Sequence, residues 1–134
     1  MKRLAAAAAT ATAAMAIASC GGSAGDLLSI SATGGIAGGT HTVVVSGDGR
    51  GSCDRAPLKE LPSDRVIDAR EIEREAADLA RRAATYPPLP DARSYGLHTK
   101  AGVVRWSEGT HGLPPVLPKA QLLDLQLERL LCKR

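Results

Sequence analysis

The strongest chemical signal in the chain is a thiol near its amino terminus, where Ile17-Ala18-Ser19-Cys20 is followed by Gly21-Gly22. An apolar residue, two small residues and a cysteine make the processing pattern of a bacterial lipoprotein signal. Small side chains let an extended backbone enter a peptidase, and the Cys20 thiol takes a diacylglyceryl group before cleavage. The freed amino group then accepts a further acyl chain. Each buried CH₂ contributes about 0.8 kcal/mol, so two or three chains hold a protein on a membrane. Met1-Lys2-Arg3 supplies the positive start, and Leu4 to Ile17 an uncharged, Ala-rich stretch. That stretch has 14 residues, against the roughly 20 that a spanning helix needs. The alternative is an ordinary secretory signal that happens to end in a cysteine. The lipoprotein reading predicts a removable signal over residues 1–19, lipid on Cys20 and a Gly/Ser/Ala tether over 20–26. It places the remainder, residues 27–134, outside the cytosol as one domain anchored to the cell envelope.

With Cys20 consumed by lipid, Cys53 and Cys132 remain as an even pair in an oxidising compartment. A bridge between them closes a loop of 132 less 53, or 79, residues. Loop entropy assigns about 4.5 kcal/mol to such a closure as an upper figure. Two separate buried thiols are the other reading. Neither cysteine belongs to a CxxC-type motif, so spacing supports neither metal binding nor thiol redox chemistry.

Other groups capable of chemistry are scattered. His41, His98 and His111 form no HExxH-like ligand pair. No G-x-S-x-G elbow singles out a nucleophile. Gly34-Gly35-Ile36-Ala37-Gly38-Gly39 and Gly47-Asp48-Gly49-Arg50-Gly51 lack a following Lys-Ser/Thr and lead into no helix, so neither cradles phosphate. The expectation is a protein with no catalytic residues, no metal and no cofactor. Trp106 reads as a core anchor rather than a binding hot spot. Six residues from Gly34 to Gly39, four of them glycine, either present backbone groups to a partner or form a mobile turn.

Composition narrows the class further. The 134 residues carry 17 Lys+Arg and 14 Asp+Glu, a net charge of +3. Loss of Lys2 and Arg3 with the signal leaves 15 basic residues against 14 acidic, or +1. A nucleic-acid partner therefore loses its electrostatic support. Removing 19 residues from 134 leaves 115, enough for one domain. With no Phe, one Trp and two Tyr, the core falls to Leu, Val, Ile and Ala, and a covalent staple matters more.

The elements that would position these groups follow from periodicity. Leu28, Ile30 and Ala32 alternate with Ser29, Ser31 and Thr33 as a one-sided strand, and Thr40 to Ser46 resumes after the glycines. Gly47-Asp48-Gly49 turns the chain into a short third strand, Arg50 to Cys53, and Asp54 to Ser63 is a polar connection. Asp68-Ala69-Arg70-Glu71 resembles a capping box opening a helix that runs to Ala84, with Ile72, Ala76, Leu79 and Ala83 as its apolar stripe. Its outer face offers Arg74/Asp78 and Asp78/Arg82 pairs. Tyr86-Pro87-Pro88-Leu89-Pro90 ends it. Arg93 to Thr99 and Val103 to Ser107 make a second hairpin. Pro118 opens a last helix, with Leu123, Leu127, Leu130 and Leu131 on one side and Leu122 broadening the stripe. The predicted fold is α+β, one antiparallel sheet with two helices on one face, in the order ββ(β)αββα.

Taken together, the Gly34-Gly35-Ile36-Ala37-Gly38 signature, the strand to Asp48-Gly49 and the Asp68 to Ala84 helix carry a family likeness. Tyr86, Asp91 and Tyr95 ahead of the second hairpin and the Pro118 to Leu131 helix complete it. Over residues 27–131 the chain resembles the emfourin-like proteins, small protein inhibitors of thermolysin-type zinc metalloproteases. The resemblance implies binding without catalysis, with a rigid loop or edge strand occluding the protease cleft; no motif carries the family's inhibitory residues over, and the glycine hairpin itself makes Gly34, Gly35, Ile36, Ala37 and Gly38 the candidate partner-binding loop. The chain departs from the family in its lipoprotein signal and added cysteine pair, which imply an envelope form. The second reading is a non-inhibitory envelope lipoprotein that binds or scaffolds another surface component. About six tether residues reach only about 15 Å, which suits a partner held at the membrane.

Overall fold

The computed structural model describes residues 25–36 and 38–132. The signal expected over residues 1–19, the expected lipid site Cys20, and Ala37 lie outside the described residues. Six strands form one antiparallel sheet: β1 (Asp26–Gly34), β2 (Thr40–Ser46), β3 (Arg50–Cys53), β4 (Lys59–Glu60), β5 (Arg93–Thr99) and β6 (Gly102–Ser107). Their spatial order is β4-β3-β2-β1-β5-β6. The helices are α1 (Ser63–Glu75), α2 (Ala77–Arg81) and α3 (Val116–Leu131). The fold is therefore α+β, with helices packed against a single sheet.

Alternation along the strands decides which face they cover. Leu28, Ile30 and Ala32 are fully buried, as are Val43 and Val45 on the neighbouring strand. Register carries the same face across the sheet, pairing Ile30 with Val43 and Leu97, and Leu97 with Val104. Ala69, Ile72, Leu79, Leu123, Leu127 and Leu131 close the core from the helical side. Ser29, Ser31, Thr42, Ser94 and Arg105 point the other way, onto the polar face that an antiparallel sheet can leave to water. Both edges are short or covered. β4 has two residues, and the chain after α2 shields β6 through Arg105 N–H to Ala84 O and Tyr86 N–H to Arg105 O.

The helices differ from expectation in several particulars. α1 begins at Ser63, not Asp68, and no side chain caps it. Asp68 is already inside the helix, where it pairs with Arg65 at 3.3 Å. Asp64 instead supplies the negative charge that the first turn favours. The expected single helix breaks at Ala76, whose φ and ψ are −84° and −5°. Asp78 consequently pairs with Arg81 rather than with Arg74 or Arg82. Ala83 leaves the apolar stripe, since it lies past α2, exposed and at φ 50°. In α3, Pro118 is tolerated at the third helical position because its missing N–H would have no partner there. Leu122 and Leu130 are half-exposed, at 55% and 50%, so only Leu123, Leu127 and Leu131 form the expected stripe. The connection after Cys53 holds the unforeseen strand β4.

Cys53 and Cys132 meet at disulfide distance, their Cα atoms 5.2 Å apart across a sequence separation of 79. The bridge ties the end of α3 to β3. Replacing both cysteines with serine is expected to lower unfolding free energy by about 2–4.5 kcal/mol, read from the urea midpoint. The turn of the second hairpin has no tolerance for a side chain. Gly102 sits at φ 146°, where an added Cβ would come 2.2 Å from the Ala80 carbonyl oxygen on α2. Gly102→Ala is expected to cost on the order of 3 kcal/mol by the same measurement, because rigid backbone must move.

Candidate functional site

The hairpin joining β1 and β2 carries the most exposed large apolar side chain among the described residues. Gly38 donates its N–H to Gly35 O at 3.0 Å, closing a four-residue turn, and Gly34 N–H reaches Gly39 O at 3.1 Å. Gly34, Gly35, Gly38 and Gly39 all have positive φ, between 64° and 86°, which glycine adopts without penalty. The second turn position is Ile36, and it is 97% exposed. A large aliphatic side chain so placed contributes nothing to the core.

The turn is fixed from beneath. Arg93 on β5 donates through one terminal nitrogen to Gly34 O at 2.9 Å and Gly38 O at 3.3 Å. Its other terminal nitrogen donates to His41 Nδ1 at 3.1 Å. His41 Nε2 in turn lies 2.8 and 3.1 Å from the two carboxylate oxygens of Asp124 on α3. Both His41 and Asp124 are buried, at 7% and 2% exposure. Polarity fixes the tautomer: a guanidinium only donates, so Nδ1 accepts and Nε2 carries the proton that Asp124 receives. Burial pushes the Asp124 carboxyl above its usual range, against the pull of the His41 hydrogen bond. Gly35 completes the fit, for a Cβ there would sit 3.3 Å from Arg93 Cβ.

This arrangement limits the chemistry available. Neither His41 nitrogen faces a substrate, so the ring cannot serve as an accessible base. Among the described residues, His41, Asp124 and Glu128 bring ligand-type atoms within 4.8 Å of one another. A cation needs the Nε2 lone pair, however, and a metal-bound histidine donates its other N–H to an acceptor. Arg93 occupies Nδ1 as a donor and imposes the opposite polarity. The cluster reads as a hydrogen-bonded strut between α3, β2 and β5.

Of the residues singled out from sequence, Gly34, Gly35, Ile36 and Gly38 come together in this turn. Cys53 and Cys132 meet at the far end of α3. Trp106 is a core residue at 2% exposure, stacked on Tyr95 and donating its indole N–H to Gln121 at 2.7 Å. His98 is half-buried on the polar sheet face, its pKa lowered by burial and by Arg105. Spacing gave no hint of the Arg93–His41–Asp124 chain. Its members come from three elements, and His41 and Asp124 stand 83 residues apart. The one available signal was His41 at a core-facing position of β2, two residues before Val43.

Beside the turn lies an open groove of about 710 Å³, bounded by Gly38, Gly39, Tyr95 and the α3 residues Leu122 and Leu125. No described helix is long and apolar enough to cross a membrane. Comparison of the chain with protein families, with curated proteins and with solved structures returned no match.

The strut makes a prediction about pH. Because Asp124 holds its proton more tightly folded than unfolded, its contribution is full below its ordinary value of 3.8 and is lost as pH rises through the raised native value. Asp124→Asn keeps an acceptor oxygen for His41 and removes the titration. The stability of the native chain relative to Asp124→Asn is expected to fall as pH rises from below 3.8; unfolding midpoints across the acid range check this, and a flat difference contradicts it.

Proposed function

We propose that the chain is a lipid-anchored protein of the cell envelope that works by binding another protein through the Gly35–Gly38 turn, without catalysis or cofactor. One observation carries this reading: Ile36 is 97% exposed at the tip of a turn whose base is tied to a buried strut. An isolated apolar residue on the surface is ordinary. One held forward on a pre-ordered turn is suited to enter a partner's pocket with little entropy left to lose.

The likeness to emfourin-type inhibitors supports a thermolysin-type zinc metalloprotease as the partner. Inhibition would then be occlusion, with Ile36 seated in the cleft and the flanking backbone blocking substrate. The brevity of the tether from Cys20 to Gly25 supports a second reading, in which the partner is another membrane-held envelope protein and no protease is inhibited.

Titrating the full chain, in neutral detergent, into a thermolysin-type protease separates the two. Loss of hydrolysis is expected on the first reading; unchanged hydrolysis at high molar excess removes it. Ile36→Asp is expected to weaken partner binding at least tenfold, about 1.4 kcal/mol, while leaving the urea midpoint unchanged within about 0.5 kcal/mol. Mass spectrometry of the mature amino terminus is expected to find an acylated Cys20. A chain that keeps Met1 and free thiols contradicts the envelope assignment.

A further inference from the structure

The groove next to the turn is lined by apolar and by acidic side chains. On one side α3 presents Leu122 and Leu125, 55% and 43% exposed and three residues apart on one helical face. Among the described residues that line it stand the carboxyl groups of Asp54 and Glu108, and of Asp124 on α3 itself, against one guanidinium, Arg93. Arg93 directs its donors to the Gly34 and Gly38 carbonyls and to His41. Three of its five N–H groups are thus committed to the turn and to His41. Asp124 is likewise committed to His41, and Asp54 accepts the Thr42 N–H at 2.8 Å. Glu108, just past β6, is exposed.

We propose that this groove receives a basic side chain, arginine or lysine, from a partner segment whose neighbouring residues are apolar. Three observations converge on that occupant. The excess of carboxyl groups favours a cation over an anion or a neutral chain. Leu122 and Leu125 form an apolar shelf on which the aliphatic stem of a long basic side chain and its apolar neighbours lie. Tyr95, backed by Trp106 with ring centroids 5.5 Å apart, lines the same groove and offers an aromatic surface to a guanidinium or ammonium. The field is felt within the protein as well: burial first, then Glu108 and Asp124, push the Tyr95 phenol up. The groove shares Gly38 and Gly39 with the base of the turn, so the inference deepens the protein-binding reading and rests on it for the identity of the partner. It says which side chain stands next to the pocket that Ile36 enters.

The test uses a fluorescein-labelled Ala-Leu-Arg-Leu-Ala peptide, the same peptide with lysine at its centre, and the isosteric citrulline peptide, which keeps the shape and loses the charge. Anisotropy is read with the full chain in neutral detergent. Saturable binding of the arginine or lysine peptide is expected, at least tenfold tighter than the citrulline peptide and weakening as salt rises. Glu108→Gln, an exposed change that spares the fold, is expected to weaken the charged peptides several-fold and leave the citrulline peptide unchanged. Leu122→Ser is expected to weaken all three. Equal binding of charged and citrulline peptides, or no saturable binding at millimolar peptide, overturns the proposal. Ile36→Asp separates this inference from the one before it. The variant is expected to keep peptide binding while it loses partner binding; peptide binding by a native chain that inhibits no protease leaves the groove standing and removes the inhibitor reading. Partner binding without discrimination between the peptides does the reverse.

Discussion

Asp124 accepts the proton of His41 Nε2, and Arg93 supplies one to Nδ1 while gripping two carbonyls of the β1–β2 turn. That chain of donors and acceptors runs from helix α3 through β2 to β5 and out to the surface, and every link satisfies a group that burial would otherwise penalise. Among the described residues no buried side-chain nitrogen or oxygen lacks a partner. The consequence is directional: the helix side of the molecule is rigidly connected to a glycine turn that, by composition alone, would sample many conformations. A network of this kind rigidifies only when complete, because a half-satisfied member costs more than an apolar replacement.

The remainder of the fold supplies the platform. A core without Phe relies on Leu, Ile and Val side chains interdigitating between one sheet face and three helices. The Cys53–Cys132 link fastens the end of α3 to β3, and Asp124 lies two turns upstream on the same helix. Disulfide and strut therefore hold α3 at two points along its length. The position of α3 in turn sets the width of the groove between Leu122 and the glycine turn. Stability and site geometry share one element.

The sheet was legible in the sequence because period-two alternation is a local signal: Leu28, Ile30 and Ala32 mark a buried face whatever lies beyond them. Turns were legible for a similar reason, Gly34-Gly35 and Gly47-Asp48-Gly49 having few other uses. Helix ends were not. The Asp68-to-Glu71 spacing imitated a capping box, yet Leu61 and Val66 pack as part of the fold and draw the start of α1 back to Ser63. Leu122 and Leu130 satisfied helical periodicity while facing outward, since a pattern of leucines does not reveal how wide a stripe the sheet can cover. The Arg93–His41–Asp124 strut is not legible in the sequence, because contact across 83 residues leaves no spacing to read. The glycine loop is legible too, but its composition does not separate a binding surface from an idle turn. The added information is tertiary: Arg93 beneath it and Ile36 at its summit.

Amide hydrogen exchange at Gly34 and Gly38 tests the central claim most directly, because both N–H groups bond only within the turn. Native chain should protect both, and Arg93→Ala should release them while the Leu97 amide in the sheet centre stays protected. Equal exchange at the two glycines with and without the guanidinium would mean that the turn holds itself, and that the buried strut does not set the surface the protein presents.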